Sequence, residues 1–153
     1  MREILFKAKR IEDDKWIEGF YCSIRETTYC IKEDYDRNPV PTHHCIAVDE
    51  MTDWGLPNKL RLYEVDPETI CQFTGLFDKN GKKIWENDIL MAHLDESYPE
   101  NVTYETVEWN VAGWVGRETD SIGRQYLDKF DLEHYEVVGN IFDNPELLQE
   151  EHK

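Results

Sequence analysis

No run of apolar residues in this 153-residue chain approaches the roughly 20 that a membrane-spanning helix needs. The opening Met1-Arg2-Glu3-Ile4-Leu5-Phe6-Lys7 also lacks the apolar stretch of an export signal. A cytoplasmic protein with no membrane partner is therefore expected. Basic side chains are scarce, 17 Lys and Arg against 33 Asp and Glu, which leaves a net charge of −16. Phosphate backbones repel such a surface, so direct nucleic-acid binding is disfavoured. Cysteines number four, Cys22, Cys30, Cys45 and Cys71, with no CxxC pair. In a chain without an export signal they read as reduced thiols.

Catalytic and cofactor motifs are missing too. Gly75 through Gly81-Lys82-Lys83 has one residue too many for a phosphate loop, and a lysine stands where Ser or Thr would hold magnesium. No Asp-x-Asp-x-Asp-Gly run precedes a glutamate, which excludes the helix-flanked calcium loop. His93 and His134 have no Ser or Cys partner that the sequence can locate. Two weaker constellations remain. His43-His44-Cys45 with Cys22 and Cys30 has zinc-ligand chemistry but no familiar spacing, and small buried hydrophobes are the better reading of Cys22 and Cys45. Asp78, Glu86 and Asp88 could act as acid and base or hold a divalent cation, but carboxylates beside turns more often accept backbone N–H groups. No cofactor, metal or catalytic residue is expected.

What is present is aromatic and β-branched sequence cut by turns. Ile4, Phe6 and Ala8 alternate with Lys7 and Lys9, the period of a half-buried strand, and Trp16–Ile24 returns beside it as a hairpin partner. Residues 33–60 read as a loop-rich excursion with short strands around Cys45-Ile46-Ala47-Val48. Asp66-Pro67-Glu68-Thr69 signals a single capped turn. Asp78-Lys79-Asn80-Gly81-Lys82 is the clearest turn, joining Phe73–Leu76 to Ile84-Trp85. Further strands are expected at 89–94, 104–109, 111–115 and 136–142, with a mobile segment over 116–123, an ambiguous stretch over 126–133, a short closing helix after Asn144 and fraying beyond it. Short strands with little helix predict a mainly β fold, a small open barrel or roll.

Of the five tryptophans, Trp16, Trp85 and Trp109 lie in expected strands and read as core. Trp54 and Trp114 adjoin glycine turns and are the candidates for a partner-binding surface. Charge is uneven: residues 1–40 carry 8 basic and 9 acidic side chains, residues 84–153 carry 4 and 17, a net −13. Such a field steers a basic partner, or imitates the phosphate charge of DNA toward a DNA-binding enzyme.

The stretch from Asp66 to Ile89, including Gln72-Phe73-Thr74-Gly75-Leu76, Asp78-Lys79-Asn80-Gly81-Lys82 and Glu86-Asn87-Asp88-Ile89, resembles the YopX-like family of phage and prophage proteins. Met1–Ala8 with Lys15-Trp16-Ile17, and Tyr135–Leu148, extend the resemblance over nearly the whole chain, whereas 33–60 and 95–130 match loosely. Lys9 stands where members usually carry an aromatic, and Asn87 where they carry glycine; Asn tolerates positive φ, so the turn is kept.

The resemblance implies an SH3-like barrel or roll with short helical turns and a bacterial-cytoplasmic setting. It implies no established activity and supplies no catalytic residues. Phe73, Gly75, Asp78, Asn80 and Gly81 then read as makers of the turn. One YopX-like domain over 1–153, or two small β lobes, is expected. The leading functional reading is a non-enzymatic accessory protein that binds a host or phage protein. The alternatives are an acidic DNA-mimic inhibitor of a host nuclease or DNA-binding protein, and a metal-dependent enzyme; a homo-oligomer stays open.

Overall fold

The computed structural model describes residues 1–119 and 122–149. The protein is mainly β, built of antiparallel strands with two short α-helices and two 3-10 turns among these residues. It divides into two compact units, Ile4–Cys71, and Gln72–Lys153 together with Met1–Glu3.

In the first unit, β1 (Phe6–Lys9), β2 (Trp16–Arg25), α1 (Lys32–Arg37), β3 (Thr42–Glu50) and β4 (Lys59–Glu64) follow one another, and the strands lie in the order β4-β3-β2-β1. The β1–β2 hairpin pairs Phe6 with Gly19 and Ala8 with Ile17. Alternation sends Ala8, Ile46 and Val65 into a core flanked by Phe6, Ile17, Tyr21, Val48 and Ile70. The 33–60 region is more regular than its composition suggests. It contains the end of α1 and the nine-residue β3, which pairs on both sides, so only residues 38–41 and the link from Met51 to Asn58 are loop. After β4, Asp66 caps the 3-10 turn Pro67–Thr69 by accepting from Glu68 N at 3.0 Å.

In the second unit, β5 (Cys71–Phe77), β6 (Lys83–Trp85), β7 (Asp88–His93), β8 (Val102–Asn110), β9 (Gly113–Glu118), β10 (Arg124–Tyr126), α2 (Lys129–Leu132) and β11 (Glu136–Asn140) follow. Five strands form a sheet ordered β10-β9-β8-β7-β11, and β5 pairs with β6 as a hairpin. The sheet is open, with β10 and β11 at opposite edges. Its core cluster is Ile84, Leu90, Val107, Trp114 and Leu132.

Local chemistry explains the remaining differences. Asp128 accepts from Phe130 N (2.8 Å) and Asp131 N (3.0 Å), which resolves the ambiguous 126–133 stretch as the capped start of α2. Gly116–Glu118, expected to be mobile, continue β9, and Arg117 pairs with Arg124 of β10. Asp120, Ser121 and the chain from Glu150 onward lie outside the described residues. The closing turn is 3-10 over Pro145–Leu148, and Asn144 does not cap it; its Oδ1 accepts from Asn140 N at 3.3 Å instead. No helix among the described residues is long and apolar enough to cross a membrane.

Candidate functional site

The five turn residues converge on one hairpin. Phe73 is 2% exposed and packs its ring 5.4 Å from Trp85 and 5.6 Å from Phe77. Gly75 has φ +82° where the β5–β6 register shifts, a backbone state that side chains with a Cβ rarely adopt. Asp78 is the hub of the turn: Oδ1 accepts from Asn80 N (2.9 Å) and Lys82 N (2.8 Å), and Oδ2 accepts from Val137 N (2.9 Å). Gly81, at φ +78°, completes the turn by donating its N–H to the Asp78 carbonyl. The other carboxylates of the acid–base reading are similarly engaged. Glu86 Oε2 accepts from Gln72 N at 3.3 Å, and Asp88 Oδ2 accepts from Trp85 N at 2.8 Å. All three therefore bond to main chain, and Asp78 and Asp88 are buried.

The histidine–cysteine constellation is separated by strand alternation. His44 points to the core side, where its Nδ1 lies 2.7 Å from Tyr21 Oη. His43, on the opposite face, bridges Glu64 (Nδ1, 2.6 Å) and Glu26 (Nε2, 2.8 Å). Those two hydrogen bonds, Glu64 foremost, raise the His43 pKa above its ordinary value. Cys22 and Cys45 are opposite one another across β2 and β3, and burial pushes the Cys45 thiol up. Cys30 is exposed in the chain before α1. Among the described residues no group of three or more His, Cys, Asp or Glu side chains is arranged to hold a metal ion.

The two surface tryptophan candidates part company. Trp54 is 90% exposed at the tip of the β3–β4 hairpin, near Met51 (71%) and Leu56 (59%). Trp114 is 8% exposed and belongs to the core cluster. The reason is its place in the β8–β9 hairpin: it pairs with Trp109, and the two rings meet edge to face at 5.0 Å. Trp109, expected in the core, takes the outer position at 52% exposure. A groove of about 360 Å³ beside this pair is lined by Arg2, Gln72, Glu86, Trp109 and Trp114. A second, of about 560 Å³, runs between Gly75–Lys79 and Lys129, Leu132 and Glu133.

Composition alone does not reveal how the acids are used. Glu105 is 5% exposed, accepts from Tyr135 Oη at 2.7 Å, and has its pKa raised mainly by burial, with the charges of Glu118 and Asp131 adding to the effect. Burial also raises the Tyr135 pKa far above its ordinary value. Glu108 faces Arg117 at 3.4 Å and Arg124 at 3.8 Å, and Glu136 faces Lys79 at 3.0 Å. The acidic half is thus partly paired or buried. Sequence reasoning also passed over Leu60 and Leu62, 66% and 46% exposed on β4, and Phe20, 63% exposed on β2. The alternation Lys59-Leu60-Arg61-Leu62-Tyr63-Glu64 was the available signal.

The sequence profile of the family described as "YopX protein" matches residues 5–149. The chain belongs to the YopX family. Its fold is similar to the crystal structure of protein EF1440 from Enterococcus faecalis, at TM-score 0.57 and 23% identity, covering 97% of this chain and 100% of that one. That likeness concerns the fold alone. No curated protein matches the chain.

Proposed function

We propose that this YopX-family chain is a non-enzymatic accessory protein of phage or prophage origin, working in the bacterial cytoplasm by binding another protein through the β3–β4 hairpin tip. One observation carries the reading: Trp54, at 90% exposure, has Met51 and Leu56 close by in the same loop, both more than half exposed. Single exposed apolar residues are ordinary, but several large ones gathered on one loop form a patch that burial against a partner would stabilise. Tryptophan suits the centre of such a patch because it covers a large area with few rotamers to freeze. The net charge of −16 favours a basic partner and speeds its approach.

The test compares wild type with Trp54→Ala at native abundance in infected or lysogenic cells, identifying what each retains. A defined protein retained by wild type and lost by the variant is the expected result. Retention of no protein, or equal retention by both, removes the reading.

A further inference from the structure

The strand order ends at β4, and the hydrogen bonding around it fixes which backbone groups face outward. Val65 N donates to His44 O, so Val65, and by alternation Tyr63, Arg61 and Lys59, direct their N–H and C=O toward β3. Leu60, Leu62 and Glu64 direct theirs the other way. The parity is confirmed at Glu64, whose outward carbonyl accepts from Ile11 N at 3.1 Å. Beyond that one contact, the outer groups of Leu60 and Leu62 face a side on which no strand pairs with β4 among the described residues. This is the exposed edge that proteins usually blunt with proline, a bulge or a covering segment. Lys59 and Arg61 do not blunt it on the leucine face. Their side chains project to the other face, where Arg61 lies 3.4 Å from Glu50 and over the Tyr63 ring.

The side chains beside this edge favour one kind of occupant. Leu60 and Leu62 share a face with Phe20 and Ile24, and Phe20, Ala47 and Leu62 form a row across β2, β3 and β4. On that face of β2, β3 and β4 the acids are Glu18, which has Lys7 of β1 opposite it, Asp49 and Glu64, with Glu26 beyond the end of β2 and His43 held between Glu64 and Glu26. A second copy of the chain would bring another −16 to the same place.

We propose that β4 is a docking edge for an extended, basic segment of another protein. The segment adds as a further strand beside Leu60 and Leu62; on the leucine face its central apolar side chains lie against Leu60 and Leu62, and its flanking Lys or Arg side chains on that same face reach toward Asp49 and Glu64. The Ile11 contact at Glu64 limits the added strand to the Leu60–Leu62 stretch. The inference rests on the partner-binding reading above but uses backbone groups that Trp54 does not supply.

The test uses ¹⁵N-labelled protein and a capped eight-residue peptide, Lys-Thr-Leu-Thr-Leu-Thr-Lys-Thr, which places its Lys and Leu side chains on one face, with amide hydrogen exchange as readout. The expected result is exchange at Leu60 and Leu62 slowed by about tenfold or more, an effect that shrinks as salt rises. The Glu-for-Lys peptide should give no protection, nor should the Lys/Leu peptide N-methylated on every amide. Leu62→Pro removes an outward N–H at a position where an edge strand tolerates proline, and should abolish protection at Leu60. Because the N-methylated peptide leaves the protein unaltered, the test stands even if that variant misfolds. Absence of protection, equal protection by the Glu or N-methylated peptide, or protection that appears with protein concentration alone would overturn the proposal, the last assigning the edge to a second copy. Trp54→Ala should leave peptide protection unchanged, which separates failure at the edge from failure at the tip.

Discussion

The Tyr135 hydroxyl donates a 2.7 Å hydrogen bond to Glu105, a carboxylate only 5% exposed on β8. Tyr135→Phe removes that donor and leaves a buried acceptor short of a partner, so a loss of about 1–3 kcal/mol is expected in urea denaturation at neutral pH. The same pair sets a pH dependence. Burial holds the folded pKa of Glu105 above its ordinary value, so the folded state binds this proton more tightly than the unfolded chain. Its contribution favours folding below the ordinary carboxylate range and is lost as pH rises through the raised value. Glu105→Gln keeps an acceptor for Tyr135 without the charge. It should be more stable than wild type at pH 7, with the difference narrowing in acid. A variant less stable than wild type at both pH values would contradict the assignment.

His43 titrates with the same sign for a different cause. Hydrogen bonds to Glu64 and Glu26 favour the imidazolium and raise its pKa. Its stabilisation is complete below the ordinary histidine value and disappears as pH climbs through the raised one. NMR titration of the His43 ring should give a midpoint above the ordinary value, falling toward it in Glu64→Gln. A wild-type midpoint at or below the ordinary value would show that the bridge does not persist in solution.

Asp78 gathers three main-chain N–H groups, from Asn80, Lys82 and Val137, and thereby ties the β5–β6 turn to β11. Asp78→Ala leaves all three without this acceptor and should cost about 3 kcal/mol. Asp78→Asn retains one carbonyl oxygen and should cost less. Chemical denaturation ranks the three proteins, and a loss in the alanine variant smaller than that of the asparagine variant would remove Asp78 from its role as hub.

Legibility in the sequence followed the range of the interactions involved. The Asp78–Lys82 turn and the Asp66-Pro67 cap are settled by neighbours within a few residues, and both can be read from the chain. Asn87 also keeps a positive φ, +66°, at the position where family members usually carry glycine. The bond from Asp78 to Val137 spans 59 positions and leaves no local trace. Trp109 and Trp114 occupy directly opposed positions, so periodicity cannot say which ring goes inward; packing against Leu132 and its neighbours decides. Trp54 stands out as a tryptophan beside a glycine in a loop. The β4 edge does not, because strand order is a property of the assembled sheet and not of Lys59–Glu64.

Val111 combines φ +36° with 92% exposure in the two-residue link between β8 and β9. A β-branched side chain at positive φ crowds its own backbone, and so exposed a side chain recovers little by burial. Val111→Gly removes the Cβ responsible for the crowding. The unfolded chain gains freedom in exchange, which offsets part of the benefit. Because the strain at such a site is about 1–3 kcal/mol, the variant should be more stable than wild type by about 1 kcal/mol. Thermal or urea unfolding followed by tryptophan fluorescence measures the change, since the Trp109–Trp114 pair flanks the turn. A variant less stable than wild type would show that the valine conformation is relaxed in solution and that the hairpin is not strained at this point.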